Sequence, residues 1–378
     1  MFAVIGAGGV GRVIARHLAG RGRVRVGDID LSALAETRKI SDAISTRKLD
    51  ASRPESVRRF IKGCDAVINA SDPRFNLLIM KQALRTRVHY IDLAGYPDKQ
   101  LKQYRAWKKA GLLAVLGMGE DPGLSNIMAR RAVDMLQTVS EIRIRDGETS
   151  TSDAYPFVCL FAPGVFLEEA VSPAHYYEGG EIKTSPAMSM KETYPFPQPI
   201  GNVPVYAMDH EEVHTLPEFL PKKPNYVDFK LALTDETASN IRLFQSLGLL
   251  RTEMIRVGGT KVKPLSVLLS LLPKPSQVAG KIHGNAGILV EAKGTIAGER
   301  HILKLHTTMT HEDAYRKYQS NATSYLTGTP TAVCALLLAE NRIQTRGVIV
   351  PECLDAESFL DKARNFDVRV EVEKAKLD

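Results

Sequence analysis

The first 125 residues alternate short aliphatic runs with stretches whose apolar positions recur three and four apart. That is the pattern of strands and helices taking turns in a parallel sheet. Residues 2–5, 24–27, 66–69, 90–92 and 113–116 read as strands, and a further strand is expected to stop at Asp50. Residues 10–18, 31–44, 54–61, 76–86 and 97–110 read as the intervening helices. Strands this short and this apolar suit a sheet covered by helices on both faces.

After Gly117 the texture changes. Residues 124–136 keep a helical period, 141–145 alternate as a half-exposed strand, and 149–221 are rich in proline, glycine and aromatic residues. Residues 182–184, 203–208, 228–233, 287–294 and 301–309 read as strands, which makes this half α+β. A helix over 331–341, an aliphatic run at 347–351 and a helix over 356–365 close the chain, and are expected to pack back on the first unit. The predicted fold class is therefore α/β. A doubly wound parallel Rossmann sheet, from 1–125 and 331–378, receives an inserted α+β domain over 126–330.

Composition narrows the function. At 378 residues the chain exceeds one ordinary core, and 44% apolar with 25% charged is the balance of a globular protein. The longest aliphatic stretch, 264–273, is about half of a bilayer span, and the apolar opening is glycine-broken. No membrane association is expected. Cys64, Cys159, Cys334 and Cys353 are scattered, with no CxxC, which fits a reducing, cytoplasmic setting and argues against structural zinc. The net charge of +7 is spread along the chain rather than gathered in a stripe. That favours small anionic ligands over nucleic acid.

Gly6-Ala7-Gly8-Gly9-Val10-Gly11 follows a strand and opens a helix, the context in which GxGxxG binds a dinucleotide. Gly6 permits the turn, Gly8 admits the pyrophosphate, Gly11 lets helix and strand close up, and the helix N-terminus faces the anion. Asp28, at the end of the second strand, is placed to accept the ribose hydroxyls and to repel a 2′-phosphate. NAD is the expected cofactor. Asp50, Asn69, Ala70 and Ser71 stand at strand ends where the cofactor should lie, or else form ordinary Asx turns there.

Several motifs now resemble one family, the saccharopine dehydrogenase-like oxidoreductases. They are Gly6 to Gly11, Asp65-Ala66-Val67-Ile68-Asn69-Ala70, His89-Tyr90-Ile91-Asp92 and Gly119-Glu120-Asp121-Pro122-Gly123-Leu124-Ser125-Asn126. Phe166-Leu167-Glu168-Glu169, Thr327-Gly328-Thr329-Pro330 and Gly347 through Glu352 complete the set. The resemblance implies a substrate cleft between the two domains, a homodimer formed through the second, and oxidation or formation of a C–N bond at an amine. Pro-Gly-Leu-Ser-Asn-Ile and the Leu-Gly-Leu-Leu stretch near 249 make L-lysine 6-dehydrogenation the leading expectation. A saccharopine or carboxynorspermidine type of opine or polyamine dehydrogenase is the alternative, and a non-catalytic dinucleotide sensor the reading from another class. Gly95 followed by Tyr96, where saccharopine reductases tend to carry a tyrosine at the first position, weighs against saccharopine.

Removing a hydride from an amine-bearing carbon requires the amine neutral, so a base must take its proton. Asp121 and Glu120, on the loop leaving the sheet, are the candidates for base or ammonium anchor; the competing reading makes Asp121 an N-cap of the next helix. Pro122, Gly123 and Asn126 of the same motif are candidate substrate contacts, as are His210 and Glu211. His210-Glu211-Glu212-Val213-His214 satisfies HExxH formally. It runs into Leu216-Pro217, which leaves little room for the helix that motif needs, so no metal is expected. Asn321, Thr323 and Thr327 are further candidates for the cleft, and Cys159 is expected to be a buried apolar residue.

Overall fold

A computed structural model describes residues 1–95 and 97–377; Tyr96, singled out in the sequence, lies outside them. The first sheet has seven parallel strands. In chain order they are β1 (Phe2–Ile5), β2 (Val24–Asp28), β3 (Ile44–Lys48), β4 (Ala66–Asn69), β5 (His89–Asp92), β6 (Leu113–Val115) and the late strand Gly347–Ile349. Across the sheet the order is late strand, β6, β5, β4, β1, β2, β3. The connections reverse direction between β1 and β4, so a crevice opens there beyond the strand ends. Both four-residue strands at that point are buried along their whole length.

The expected helix over 31–44 is divided. Leu31–Arg38 is helical and capped by Asp30, whose carboxylate accepts from Ser32 N and Ala33 N. Ile44–Lys48 then becomes β3, in parallel register with β2. The polar turn at Ser41-Asp42 breaks the helix, and the β-branched Ile44 and Thr46 gain more as edge-strand residues.

The second sheet is mixed. Its main path runs Glu181–Ser185, Ala174–Glu178, Tyr226–Ala232, Thr138–Asp146, His283–Ile296, Glu299–Thr310 and Glu371–Lys376. The closing part of the chain serves both sheets: Gly347–Ile349 pairs with β6, whereas Glu371–Lys376 pairs with Glu299–Thr310. The returning helix spans Ala322–Ala339, beginning ahead of the expected start at 331. It is long and apolar enough to cross a bilayer, yet 89% of it is buried inside the fold. It packs on the first helix, Gly9–Ala19, where a Cβ at Gly328 would stand 2.9 Å from Val13 Cβ. That close approach joins the two sheets directly behind the glycine loop.

Candidate active site

The glycine loop is shaped by what its glycines leave out. Gly6 has φ +111°, and a Cβ there would meet Ala70 O at 2.4 Å; one at Gly11 would meet Gly6 O at 2.1 Å. Gly8 has open space instead, with nothing within 4 Å, at the N-terminus of the helix Gly9–Ala19. This is a cradle closed on its protein side and open on the side a pyrophosphate approaches. Gly9 faces inward, against Ser324, and Val10 is half-buried beside it. The Asp28 carboxylate ends β2 and accepts from Ala7 N at 2.6 Å and Asp30 N at 2.9 Å. It thus braces the loop at the ribose position.

Asn69, Ala70 and Ser71 lie across the crevice. Ala70 N donates to Ile5 O at 2.8 Å, and Asn69 Oδ1 accepts from Ser71 N and Ser71 Oγ. Asn69 Nδ2 donates to Asn76 Oδ1 at 2.6 Å, and Asn76 Nδ2 to Ala94 O at 2.8 Å, so a chain of amides ties together the loops after β4 and β5. Asp50 belongs to a surface turn beyond β3. Its carboxylate accepts from Ser52 N and Ser52 Oγ and pairs with Arg53, the arrangement of an Asx turn.

The loop from Gly117 to Gly123 is anchored from beneath by Asp92. That buried carboxylate accepts from Gly117 N at 2.7 Å, Tyr90 OH at 2.8 Å and Gln100 Nε2 at 2.8 Å. Burial raises its pKa to about 6. At the far end Gly123, φ +135°, passes so near Gly119 that a Cβ would stand 2.1 Å from Gly119 O. Gly123 N donates to Asn126 Oδ1 at 2.8 Å, and Asn126 Nδ2 donates to Glu352 Oε2 at 3.0 Å. Asn126 is therefore spent on holding the loop and sits under it. The helix Leu124–Met135 has Gly123 as its N-cap, so the side chain of Asp121 has no capping role and is free for other work.

What Asp121 faces is a group of acids. Its carboxyl lies beside that of Asp146, at the end of Thr138–Asp146, and the two interact. Burial, then the neighbouring Asp146, Glu120 and Glu212, hold Asp121 well above the carboxylate range. Burial pushes Asp146 up to about 7. Glu148 is lifted to about 8 by burial and by Asp146, although Thr323 Oγ1 donates to it. Glu120 is only 2% exposed, and its Oε1 has no hydrogen-bond partner among the described residues. Burial with Asp146 and Glu148 nearby raises it too. Carboxyls so placed hold their protons more tightly than free acids do, and release them to solvent when an ammonium group is brought among them.

Asp146 and Glu148 were not singled out in the sequence. Ile142, Ile144 and Asp146 share the inward face of one strand by the period of two, and an acid at the next inward position was the available signal. Of the residues near the closing helix, Thr323 reaches the cluster. Asn321 caps the helix, accepting from Ser324 N at 2.6 Å, and also donates to Leu160 O. Cys159 is buried, its thiol pushed up to about 12, and carries no reactive character.

A cleft of about 510 Å³ opens beside the cluster, between the loops after β4 and β5 and the second domain. His210, Glu211, Glu168, Glu169 and Asp209 line one side and Arg74 and Lys99 the other. His210 stacks on Phe229 with ring centres 3.7 Å apart, and its Nδ1 lies 2.5 Å from the buried Glu212. Burial opposes the charged ring, but Glu212 prevails and its pKa stands at about 10. Glu212 also accepts from Ser125 Oγ at 2.6 Å. Glu211 accepts from Gly95 N at 2.6 Å, a bond between the two domains across the cleft. Burial lifts Glu169 to about 8. Of the HExxH segment only Glu212 onward is helical, in a short helix Glu212–Phe219 with Pro217 inside, and His210 lies ahead of it. The segment's two histidines diverge: His210 turns to Glu212, and His214 to Asp209 and His175.

A parallel sheet in Rossmann order, a glycine cradle at its switch point and a cluster of protonated acids beyond it define a nicotinamide-dependent dehydrogenase. Comparison with known proteins supplies the family. Residues 2–115 match the saccharopine dehydrogenase NADP binding domain, and residues 119–365 the saccharopine dehydrogenase C-terminal domain. The chain belongs to the saccharopine dehydrogenase family, oxidoreductases that act at an amine-bearing carbon. It is 30% identical to the carboxynorspermidine synthase of Vibrio alginolyticus, over 94% of this chain and 93% of that one. It is 27% identical to the carboxyaminopropylagmatine dehydrogenase of Synechocystis, over 95% and 94%. Apo saccharopine dehydrogenase (L-Glu forming) from Saccharomyces cerevisiae shares the fold, with a TM-score of 0.72 over 99% of both chains at 13% identity.

Proposed function

We propose that this protein is an NAD-dependent dehydrogenase of a carboxylated polyamine, joining an amine to an aldehyde-bearing carboxylic acid by reductive coupling. The observation that carries this reading is the concentration of acids: Glu168, Glu169, Asp209 and Glu211 line the cleft, and Glu120, Asp121, Asp146 and Glu148 form a buried cluster beside it. Such a lining selects a ligand with more ammonium groups than carboxylates, and Lys99, beside an Arg74 paired with Asp72 at 3.2 Å, is the cation for its one carboxylate. Two relatives, aligned along almost the whole chain, are named for substrates of this class. L-lysine, the leading expectation from the sequence, has no comparable support.

In the coupling direction the primary amine adds to the aldehyde and water leaves, giving an imine that is protonated on nitrogen. When bound, the reduced nicotinamide supplies the hydride that this carbon accepts. Asp121 is the acid at the nitrogen. It delivers the proton lost with water and, in the oxidative direction, removes one from the secondary ammonium before hydride leaves. Asp146 shares that proton, and Glu120 and Glu148 stabilise the cationic imine.

The test is nicotinamide absorbance with 1,3-diaminopropane, putrescine or agmatine, each with a carboxyl-bearing semialdehyde, beside oxidation of L-lysine. The polyamine pair is expected to exceed L-lysine by about 10²-fold or more in kcat/KM. An L-lysine rate equal to or above it would overturn the assignment.

The cofactor is tested separately. Asp28 and Asp30 both stand where a 2′-phosphate would lie, and Asp30 is turned to Lys274 at 3.1 Å. NAD is therefore expected to bind more tightly than NADP, and Asp28→Ser to narrow the gap. Equal affinities in the unaltered protein would reject NAD as the preferred partner.

A further inference from the structure

We propose that His175, Asp209 and His214 form a binding site for one divalent transition-metal ion of the zinc type at the mouth of the cleft, apart from the hydride chemistry. Three separate elements supply the donors. His175 comes from the strand Ala174–Glu178, Asp209 from the turn after the strand Asn202–Ala207, and His214 from the first turn of the helix Glu212–Phe219. His175 Nδ1 lies 2.7 Å from Asp209 Oδ1, and His214 Nε2 lies 4.0 Å from the same oxygen. All three donor atoms fall within 4.8 Å of one another. Tetrahedral zinc with bonds of about 2.0–2.1 Å holds its ligand atoms roughly 3.3 Å apart, a spacing that the two measured distances bracket. Closing the triad on an ion needs side-chain adjustment alone.

The donor set is chemically selective. Two imidazoles with one carboxylate favour zinc, cobalt or nickel over magnesium and calcium, which prefer oxygen. Asp209 is 13% exposed and the two histidines 31% and 41%, so an ion can enter from solvent. Asp209 and His214 also line the cleft, which leaves the fourth position directed at water or at a ligand within it. Of the three, Asp209 belongs to the acid lining of the cleft, and none takes part in the proposed proton or hydride transfer. A dication there stands in the path of a cationic substrate, so the ion acts as an inhibitor that competes with the polyamine.

The test is titration of untagged, chelator-treated full-length protein with Co²⁺, read by its visible d–d bands, and with Zn²⁺, read by calorimetry. One equivalent per chain is expected. His175→Ala and His214→Ala should each weaken binding by about 10²-fold with unchanged melting temperature, whereas His283→Ala, at a remote histidine, should bind like the unaltered chain. Chelation should leave the dehydrogenase rate intact, and added Zn²⁺ should raise the KM for the amine without lowering kcat. Absence of binding below about 1 mM, or binding unchanged by both histidine replacements, overturns the site. These binding readouts stand whatever the substrate proves to be.

Discussion

Asp121→Asn is expected to lower kcat/KM by about 10²-fold or more in both directions while leaving dinucleotide affinity close to that of the unaltered protein. An amide cannot take the proton from the substrate nitrogen, whereas burial beside Asp146 holds the Asp121 carboxyl well above the ordinary carboxylate range, suited to exchanging one. The cofactor contacts proposed for this chain lie elsewhere, at Gly6, Gly8 and Asp28, so binding has no cause to change. A helix cap would behave differently, because Asn caps about as well as Asp and the variant would then keep its rate. The structure gives that cap to Gly123, which removes the competing explanation for an unchanged rate. Glu120→Gln is expected to act more weakly, since its carboxyl meets the reacting nitrogen through charge rather than through proton exchange. Steady-state rates of both variants, beside dinucleotide titrations, decide the matter. A normal rate in Asp121→Asn places the chemistry on another loop.

The two halves of the chain were unequally legible. Most Rossmann strands announce themselves because they are short aliphatic runs ending in a turn residue, the polar β3 being the exception, and the glycine loop because its spacing has a steric cause at each position. Gly6 and Gly11 are glycine to avoid backbone, and Gly8 to leave room. Asp121 was likewise recognisable from a motif. Asp146 was harder to see, since an acid closing an alternating strand reads as solvent-exposed until the partner helix and the loop from Gly117 are laid over it. Glu148 and Thr323 are far apart in sequence and meet only in the fold. The HExxH pattern shows the converse, letters with a known geometry whose side chains diverge because Glu212 and Asp209 compete for the two histidines. Asp50 matched its place along the strand order and yet closes a turn on itself.

The acid cluster should also make this protein less stable as pH rises, and Asp146→Asn should relieve that cost. A carboxyl whose folded pKa is raised contributes stability that is complete below its unfolded value and lost as pH climbs through the folded value. For Asp146 the window runs from its ordinary 3.8 to about 7, and for Glu148 from 4.5 to about 8. Both shifts have the same sign, so the loss of stability with rising pH accumulates across the cluster. Asparagine at 146 is nearly isosteric, cannot ionise and can donate to the Asp121 carboxylate. It is therefore expected to raise the melting temperature at pH 8 by several degrees, and by less at pH 5, where only part of that window has been crossed. The same substitution should reduce kcat, because Asp121 loses the partner that holds its proton near neutral pH. On the proposed function, a site that receives a cationic substrate keeps its acids crowded at a cost in stability. A polyamine ligand, by filling the cluster with ammonium groups, should raise the melting temperature of the unaltered protein most at high pH. Melting curves of the two proteins between pH 5 and 9 give the answer. Parallel pH profiles for both would show that Asp146 is not under the strain its neighbours impose.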